Sequence, residues 1–461
     1  MFGGNNMNKL MSFLENKVMP VASKIASLRY IRALRDGLAV TMPLVIVGSI
    51  FMLLANLPIA GYADFVNGIF GDGFVAKITY PIRATFDILT LVAVMSVAYQ
   101  VAKQRDVDGL SSSIVAVAAF VSLIPVFDIK NVVIGNATVN LGRVIQTNTY
   151  LSAGGLIVGI IVSIFSAEIY AYVVKKNWVI KMPDSVPPAV SKSFVAITPA
   201  AIILTLCWLV RLGFEATSFQ TIFGFISEFV SSPLSKVGLS FGGMLLTVSM
   251  IHVFWALGIH GSRVVFGVMD SILLPSMDQN RLAFEAGKEL PNIITKQFYD
   301  CFTNAGGLAV MGLVILMLFV AKSKQIKSLG KLAVGPIIFN IAEPVLFGLP
   351  IIMNPIMIIP FIVAPLLIGT VTYWSMALGL VSFPAGVAVP WTVPIFMSGF
   401  LSTGGDFRAV ILQAVNLLIS IVVYYPFLKI WDKKKIEEEQ LAEEENVDDE
   451  LAALVNSIQK K

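Results

Sequence analysis

The stretch 339–350, FNIAEPVLFGLP, decides the fold, because it holds the only charged side chain between Leu332 and Gly405. That carboxylate, Glu343, lies among 74 residues that include nine prolines and no Asp, Lys, Arg or His. A lone carboxylate inside a membrane carries a large desolvation cost, so it marks a candidate functional site. Pro344 disfavours the α conformation at Glu343 and predicts a broken segment, which membranes tolerate only beside a cavity or buried in protein. The stretch therefore indicates a polar substrate site within a membrane transporter.

The rest of the chain is apolar enough for many membrane crossings. It has 461 residues, of which 56% are hydrophobic and 13% charged. Apolar runs near the ~20 residues needed to cross a bilayer recur throughout. We therefore predict an all-α polytopic membrane protein with about ten transmembrane helices. The candidate runs are Leu38–Leu57, Ile88–Ala102, Ser111–Phe127, Leu151–Val174, Phe194–Leu212, Leu239–Leu257, Val264–Leu274, Gly306–Val320, Ile351–Leu380 and Val410–Ile430.

Loop charges orient these runs. Six cations precede the first run, and lysine-rich loops follow at 175–192 and 322–331, whereas the loops at 58–82 and 128–150 are poor in cations. Because cytoplasmic loops carry excess Lys and Arg, we expect both termini in the cytoplasm. No compact apolar core with a cleavage site opens the chain, so we expect no cleaved signal peptide.

Two stretches rich in Gly and Pro fall outside the crossing count. We name 335–350 the first broken segment and 384–405 the second broken segment, and we predict both as re-entrant hairpins near a binding site. Residues 217–237 are apolar at helical spacing and predict an interfacial amphipathic helix, or equally a short connector packed on other helices. This linker divides an N-terminal membrane domain, 1–216, from a C-terminal domain, 238–431. The charged tail, 432–461, is expected to be a solvated helical extension.

Histidine and tryptophan supply further candidates for the site. The two histidines, His252 and His260, lie in MIHVFWALGIHGSR, where Gly258 and Gly261 predict a helix break around His260. His260 is therefore expected to reach a cavity, whereas His252 is expected to pack inside and bond a backbone carbonyl. Trp255 lies beside them. Trp391, flanked by prolines, either stacks on a ligand or belongs to the interfacial aromatic belt.

These residues suit a neutral, polyhydroxylated ligand. A carboxylate accepts hydrogen bonds from hydroxyls, a neutral histidine donates one and accepts one, and an amide such as that of Asn340 does both. Two histidines without carboxylates or thiolates nearby make a poor ligand set, so no metal or cofactor is expected. No phosphate-cradling GxxxxGK[ST] motif occurs, and a net charge of +4 over 461 residues predicts no nucleic-acid partner.

Three motifs together resemble a known family. WALGIHG (255–261), FNIAEPVLFGLPIIMNP (339–355) and PWTVPIFMSGFLSTGGDFRAVILQAVNL (390–417) look like hallmarks of the lactose/cellobiose family of IIC components. These proteins are membrane permeases of the bacterial sugar phosphotransferase system. The resemblance implies a homodimer in the bacterial cytoplasmic membrane whose C-terminal domain holds a β-linked disaccharide. It implies roles in sugar binding and phosphoryl transfer for His260 and Glu343. Asn340 and Trp391 lie within matching motifs, which imply sugar binding by them less strongly.

The resemblance also implies partners. The phosphoryl donor in this family is a cysteine of a soluble IIB protein, in a CxxGxST-like loop that neither Cys207 nor Cys301 matches. We therefore expect separate IIB and IIA proteins, and Glu343 as a candidate general base at the sugar 6-hydroxyl. A proton-coupled sugar transporter with Glu343 as its proton site is the main alternative. A sugar receptor without transport is a third.

Overall fold

The computed structural model describes residues 20, 24, 28–55, 61–129, 132–134, 137–139, 142–183, 186–303, 307–349, 351, 354 and 356–459, with side chains beyond 441 outside the description. Helices dominate these residues, as predicted. Those of the N-terminal half are α1 (Arg29–Ala39), α2 (Met42–Ala55), α3 (Tyr62–Phe70), α4 (Phe74–Ile78), α5 (Tyr80–Phe86), α6 (Leu89–Gln104), α7 (Gly109–Leu123), α8 (Leu156–Lys175) and α9 (Pro188–Glu215).

The loop between α7 and α8 departs from the all-α prediction. It forms two antiparallel pairs, β1 (Phe127–Ile129) with β4 (Gly142–Val144) and β2 (Val132–Ile134) with β3 (Ala137–Val139). The β-branched residues concentrated in these short strands favour extended backbone. The all-α prediction is therefore wrong for this loop, which is followed by a π-helical turn, Thr147–Leu151, and a 3₁₀ turn, Ala153–Gly155.

The predicted linker 217–237 is helical from Ile222. Thr221 caps it by accepting a 3.0 Å hydrogen bond from the Gly224 N–H, and α10 (Ile222–Ile226), a π-helical turn (Ser227–Ser231) and α11 (Ser232–Gly238) follow without a gap. Phe223 is buried against Phe120 and Tyr150, with ring centroids 5.9 and 4.9 Å away. The linker thus packs on the N-terminal half. Its position at a membrane interface stays a prediction.

The C-terminal half carries the motifs. Its helices are α12 (Phe241–Ala256), α13 (Gly261–Glu285), α14 (Leu308–Phe319), α15 (Lys324–Ile338), α16 (Glu343–Gly348), α17 (Ile358–Ala377), α18 (Met397–Ser402) and α19 (Phe407–Gln459), with a π-helical turn at Phe298–Phe302. Both broken segments are irregular, as predicted: α15 ends inside the first, and the second has no regular secondary structure before α18. Re-entry into a membrane stays a prediction for each.

Among the described residues, six helical segments are long and apolar enough to cross a membrane. The number becomes seven if α10–α11 and α12, which are bent by 75° relative to each other, together count as one span. Each of the ten predicted runs overlaps a described helix. Two of these helices, at Gly109–Leu123 and Ala309–Phe319, are apolar but shorter than a full span. The count of about ten crossings therefore stays a prediction. The six segments are Arg29–Ala55, Phe74–Gln104, Ala153–Lys175, Val190–Glu215, Ile358–Ala377 and Phe407–Leu441.

The beginning of the tail is less free than the solvated extension predicted for 432–461. Asp432 is buried and accepts hydrogen bonds from the backbone N–H groups of Lys322, at 2.9 and 3.0 Å, and Ser323, at 2.9 Å. Glu439 accepts from the Gln325 N–H and the Ser323 hydroxyl. The two carboxylates satisfy N–H groups that the start of helix α15 leaves without partners. The first turns of the tail therefore fix the start of α15, the helix that leads into the first broken segment.

Candidate functional site

Glycines shape the break that presents His260. Gly258 adopts φ +78° and ends α12 with paired hydrogen bonds from its own N–H to Trp255 and from the Ile259 N–H to Phe254. A Cβ at Gly261 would overlap the Ile251 carbonyl, so only glycine lets α13 begin this close to α12. His260 is the N-cap of α13, where its Nδ1 accepts a 3.4 Å hydrogen bond from the Arg263 N–H. The predicted break around His260 is confirmed.

Trp255 and His260 form an aromatic pair across this break. Their ring centroids are 4.2 Å apart and tilted by 42°. Trp255 is buried, and its Nε1 has no hydrogen-bond partner among the described residues, whereas His260 is partly exposed. The pair therefore combines an apolar ring face with polar atoms that are not committed to the fold.

Asn340 joins the two broken segments. It adopts φ +62° directly after α15, in the left-handed region that Asn tolerates better than most residues, and its N–H bonds the Ile337 carbonyl. Its buried side chain donates to the backbone carbonyls of Trp391, at 2.6 Å, and Val393, at 2.9 Å. Its Oδ1 is buried and has no partner among the described residues. One amide thus fixes both the turn before Glu343 and the backbone at Trp391.

Glu343 begins α16, three residues after Asn340, with Pro344 in the first turn. It is partly buried, and in the described part of the chain its side chain makes no hydrogen bond or ion pair. Its charge nevertheless reaches the ring of His260, as do the charges of Arg263 and Arg35. Sequence reasoning did not assign these two arginines to the site. Arg263 lies in the first turn of α13, and Arg35 lies within α1, where it pairs with Asp36 at 2.7 Å.

The predicted residues therefore fall into two sets. Trp255 and His260 stack on each other, and Asn340 binds the backbone at Trp391, whose side chain is 41% exposed. Glu343 lies three residues after Asn340, at the start of α16, and makes no described contact with the Trp255–His260 pair. His252 is separate: it is buried, bonds the Val248 carbonyl through Nδ1 at 2.8 Å and packs on Phe361, as expected for a structural histidine.

A family model described as "Phosphotransferase system, EIIC" matches residues 35–365, well over half of the chain. The chain belongs to this EIIC family. The lichenan permease IIC component of Bacillus subtilis is 46% identical over 441 residues, covering 94% of this chain and 96% of that protein. The cellobiose-specific EIIC component of Geobacillus stearothermophilus is 45% identical over 438 residues, with 94% and 97% covered.

A solved structure agrees with this EIIC assignment. The crystal structure of ChbC, the IIC component of a phosphotransferase system specific for N,N'-diacetylchitobiose, matches with a TM-score of 0.89. It is 46% identical and covers 93% of this chain and 99% of that one. The resemblance to the lactose/cellobiose EIIC family is therefore confirmed, and with it a multi-pass membrane protein.

The EIIC chain also uses buried amides that sequence reasoning missed. Gln413 accepts hydrogen bonds from the Phe396 and Gly399 N–H groups, at 2.6 and 3.2 Å, and donates to the Cys301 carbonyl and Ser398 Oγ. Three other polar side chains bind the backbone of the second broken segment in the same way. They are Ser49 at Ala388, Gln297 at Val389 and Asn280 at Pro384. Gln413 and Ser49 have one signal in the sequence, a polar residue inside an apolar helix, whereas Asn280 and Gln297 lie in polar stretches that give no such signal.

Asp406 closes the second broken segment outside the membrane-spanning helices. It accepts hydrogen bonds from the backbone N–H groups of Ser382 and Arg408, each at 2.9 Å, and pairs with the Arg408 guanidinium. Burial opposes ionisation, but these bonds outweigh it and lower the pKa of Asp406 to about 2. Asp406 is therefore ionised at neutral pH and fixes the return of the chain into α19.

Proposed function

We propose that this chain is the sugar permease of a phosphotransferase transporter and carries a β-linked disaccharide of the cellobiose or diacetylchitobiose type. Membership of the EIIC family is the observation that carries the proposal, and the named specificities of the similar proteins support the substrate class. Soluble IIB and IIA proteins complete the system. A IIB phosphocysteine phosphorylates the sugar 6-hydroxyl on the cytoplasmic side.

The site chemistry fits this substrate. The Trp255–His260 pair offers a ring face to the apolar face of a pyranose, and Trp391 offers a second, exposed ring. The partnerless polar atoms, Trp255 Nε1 and Asn340 Oδ1, are one donor and one acceptor that sugar hydroxyls satisfy. Glu343, which forms no hydrogen bond with the described residues, is free to accept one from a hydroxyl.

Glu343 then serves as general base. In the transfer step the sulfur–phosphorus bond of the donor breaks, a bond forms between phosphorus and the sugar O6, and the hydroxyl proton passes to a Glu343 carboxylate oxygen. The positive charge of Arg263, three residues after His260 in the first turn of α13, favours the approach of the phosphoryl group. His260 binds the sugar beside the reacting hydroxyl.

Transport follows an elevator-type motion in this proposal. Residues 238–431, including both re-entrant hairpins, move as one sugar-binding domain against residues 1–216, which form the homodimer interface. The linker 217–237 lies in the membrane interface between them, and both termini face the cytoplasm of the bacterial inner membrane. The tie between the two broken segments at Asn340 supports their moving together.

Vesicle uptake tests the function. Purified chain in vesicles, with radiolabelled cellobiose outside, is expected to accumulate sugar 6-phosphate only when phosphorylated IIB is present inside. The matched control is His252→Gln, which alters a packed histidine outside the site. Rapid accumulation of unmodified sugar under a proton gradient would instead establish the proton-coupled alternative. Tight binding without uptake in either condition would establish a receptor.

Substrate choice needs a binding screen. Cellobiose, diacetylchitobiose and lactose differ by groups that change affinity by about 1–3 kcal/mol. The purified chain is expected to bind one of the β-glucosides in preference to lactose, with affinity reduced by Glu343→Ala and by His260→Ala. A preference for lactose would contradict the substrate class while leaving the permease function intact.

A further inference from the structure

A pocket lined by none of the sugar-site residues lies where α6 and α8 end together. It has a volume of about 480 Å³ and is lined by cationic, aromatic and apolar side chains. The lining residues are Arg105, Glu168, Ile169, Ala171, Tyr172, Lys175 and Lys176.

One carboxylate, that of Glu168, binds several of the polar side chains at this pocket. Glu168 of α8 accepts hydrogen bonds from the Arg105 guanidinium, including one from Nε at 2.9 Å, and from the Tyr30 hydroxyl at 3.1 Å. It also pairs with Arg29 at 2.9 Å. Lys175 and Lys176 are exposed and make no ion pair with any described side chain. The lining therefore holds three cations and one carboxylate, and Arg29 beside it also pairs with that carboxylate, so the pocket favours an anion.

The pocket lies where two membrane-crossing segments stop. Phe74–Gln104 and Ala153–Lys175 are both long and apolar enough to span, and the cations follow their last turns. Tyr172 and Trp178 are more than half exposed and meet edge to face with ring centroids 5.9 Å apart. Exposed aromatic rings of this kind mark the headgroup level of a bilayer.

An apolar stripe leads from the pocket along α8. Ile161, Phe165, Ile169, Tyr172 and Lys176 follow one another at helical spacing, so they share one face. Ile161 and Phe165 are 40% and 41% exposed. A phosphate in the pocket would therefore have a continuous apolar surface beneath it for hydrocarbon chains.

We propose that this pocket binds the phosphate headgroup of an anionic phospholipid, with Arg105, Lys175 and Lys176 as its cationic ligands and the α8 stripe holding an acyl chain. Lysines at the end of a span specify orientation by themselves; here they converge on a pocket built by the Arg105–Glu168 pair. A second copy of the chain related by a two-fold axis would bring the same positive charge against itself. A free phosphate ion would leave the apolar stripe unused.

Lipid titration of the purified chain tests the proposal. We expect phosphatidylglycerol to raise the unfolding midpoint and to remain bound in native mass spectrometry, and phosphatidylcholine to do neither. Each cation near an anionic headgroup strengthens binding about fivefold, so Lys175→Gln with Lys176→Gln is expected to weaken phosphatidylglycerol binding about thirtyfold. The corresponding double change to Arg is expected to restore it. Both lysines are exposed, so the unfolding midpoint in phosphatidylcholine should match that of the parent chain and report an intact fold.

The matched control removes the same charge elsewhere. Lys327 and Lys331 are exposed lysines of α15 and lie outside the pocket, so changing both to Gln is expected to leave phosphatidylglycerol binding unchanged. Equal losses in the two double variants, or equal binding of the two lipids, would overturn the proposal. Glycerol phosphate that stabilises the chain as well as phosphatidylglycerol would also overturn it, in favour of a small phosphate ligand.

Discussion

The two broken segments differ in how the hydrogen-bonding groups of their backbone are satisfied. In the first, 335–350, local structure satisfies the backbone: the left-handed turn at Asn340 closes α15, and α16 begins within three residues. In the second, 384–405, the irregular backbone relies on side chains of other elements. Asn280 and Gln297 bind it from 104 and 92 residues away in sequence, and Gln413 binds it from α19.

This difference assigns ligand binding and catalysis to the first segment, and a structural role to the polar side chains around the second. Local hydrogen bonds satisfy the backbone of the first segment, so Glu343 is not needed for that purpose. Its carboxylate forms no hydrogen bond with the described residues and can bind a ligand. The polar groups around the second segment are already committed to backbone N–H and C=O groups, which would otherwise be unpaired in an apolar environment. Changes in the first segment should therefore reduce activity, whereas changes around the second should reduce stability.

Glu343→Gln should give the largest effect of this kind. A general base contributes about 10²–10⁴-fold to a rate, so formation of sugar 6-phosphate with purified phosphorylated IIB should fall by that factor. The unfolding midpoint should stay at the parent value, since the substitution breaks no described hydrogen bond. Glu215→Gln, at an exposed pair with Arg211, is the matched control. Full phosphorylation by Glu343→Gln would eliminate the base role and leave only hydrogen bonding.

Gln413→Leu should reduce stability and leave sugar binding unchanged, the opposite of Glu343→Gln. It leaves the N–H groups of Phe396 and Gly399 without their acceptor, and each buried unpaired group costs about 1–3 kcal/mol. We expect the free energy of unfolding in detergent to fall by about 2–5 kcal/mol, with sugar affinity retained in the folded fraction. Gln279→Leu is the control, because Gln279 is exposed and accepts a single bond from Asn292. A stable variant that has lost sugar affinity would place Gln413 in the site instead.

Sequence reasoning predicted the first segment better than the second. The prolines, the isolated Glu343 and the glycines around His260 are local signals, and the structure confirms the breaks in the chain at both places. The pairing of Glu343 with His260 at a sugar site stays a prediction. The packed role of His252 is confirmed on the same grounds, since an apolar run surrounds it.

The scaffold could not be predicted, because its contacts join residues that are distant in sequence. Gln413 binds the Cys301 carbonyl 112 residues away, and Gln297 binds the Val389 N–H 92 residues away. Gln297, between Lys296 and Asp300, does not differ in local pattern from a glutamine facing water; the apolar run around Gln413 predicts burial but not which backbone groups it binds. The strands between α7 and α8 were missed for another reason: they are three residues long, and their polar neighbours predict a loop.

Asn340 contributes both to stability and to the shape of the site. Two variants separate its left-handed turn from its side-chain hydrogen bonds to the second broken segment. Asn340→Gly keeps the left-handed turn and removes the bonds to the Trp391 and Val393 carbonyls. Asn340→Ala removes those bonds and adds about 1–2 kcal/mol of backbone strain. The free energy of unfolding should therefore be highest for the parent chain, lower for Asn340→Gly and lowest for Asn340→Ala, and both variants should bind sugar more weakly. Equal stability of the two variants would mean that the turn carries no strain. Unchanged sugar affinity in Asn340→Gly would mean that the hydrogen bonds to the Trp391 and Val393 carbonyls do not shape the site.

Asp406 provides the smallest effect and the sharpest test of the second segment as scaffold. Its folded-state pKa of about 2 lies below the ordinary value of 3.8, so ionisation stabilises the folded state above pH 4 and this contribution is lost as the pH falls toward 2. Asp406→Asn should be about 1–2 kcal/mol less stable at pH 7, and the difference should close between about pH 4 and 2. Unfolding midpoints of both proteins in detergent across pH 2–7 measure it. A difference that stays constant over that range would mean that uncharged hydrogen bonds, and not the carboxylate charge, anchor Ser382 and Arg408 to the return into α19.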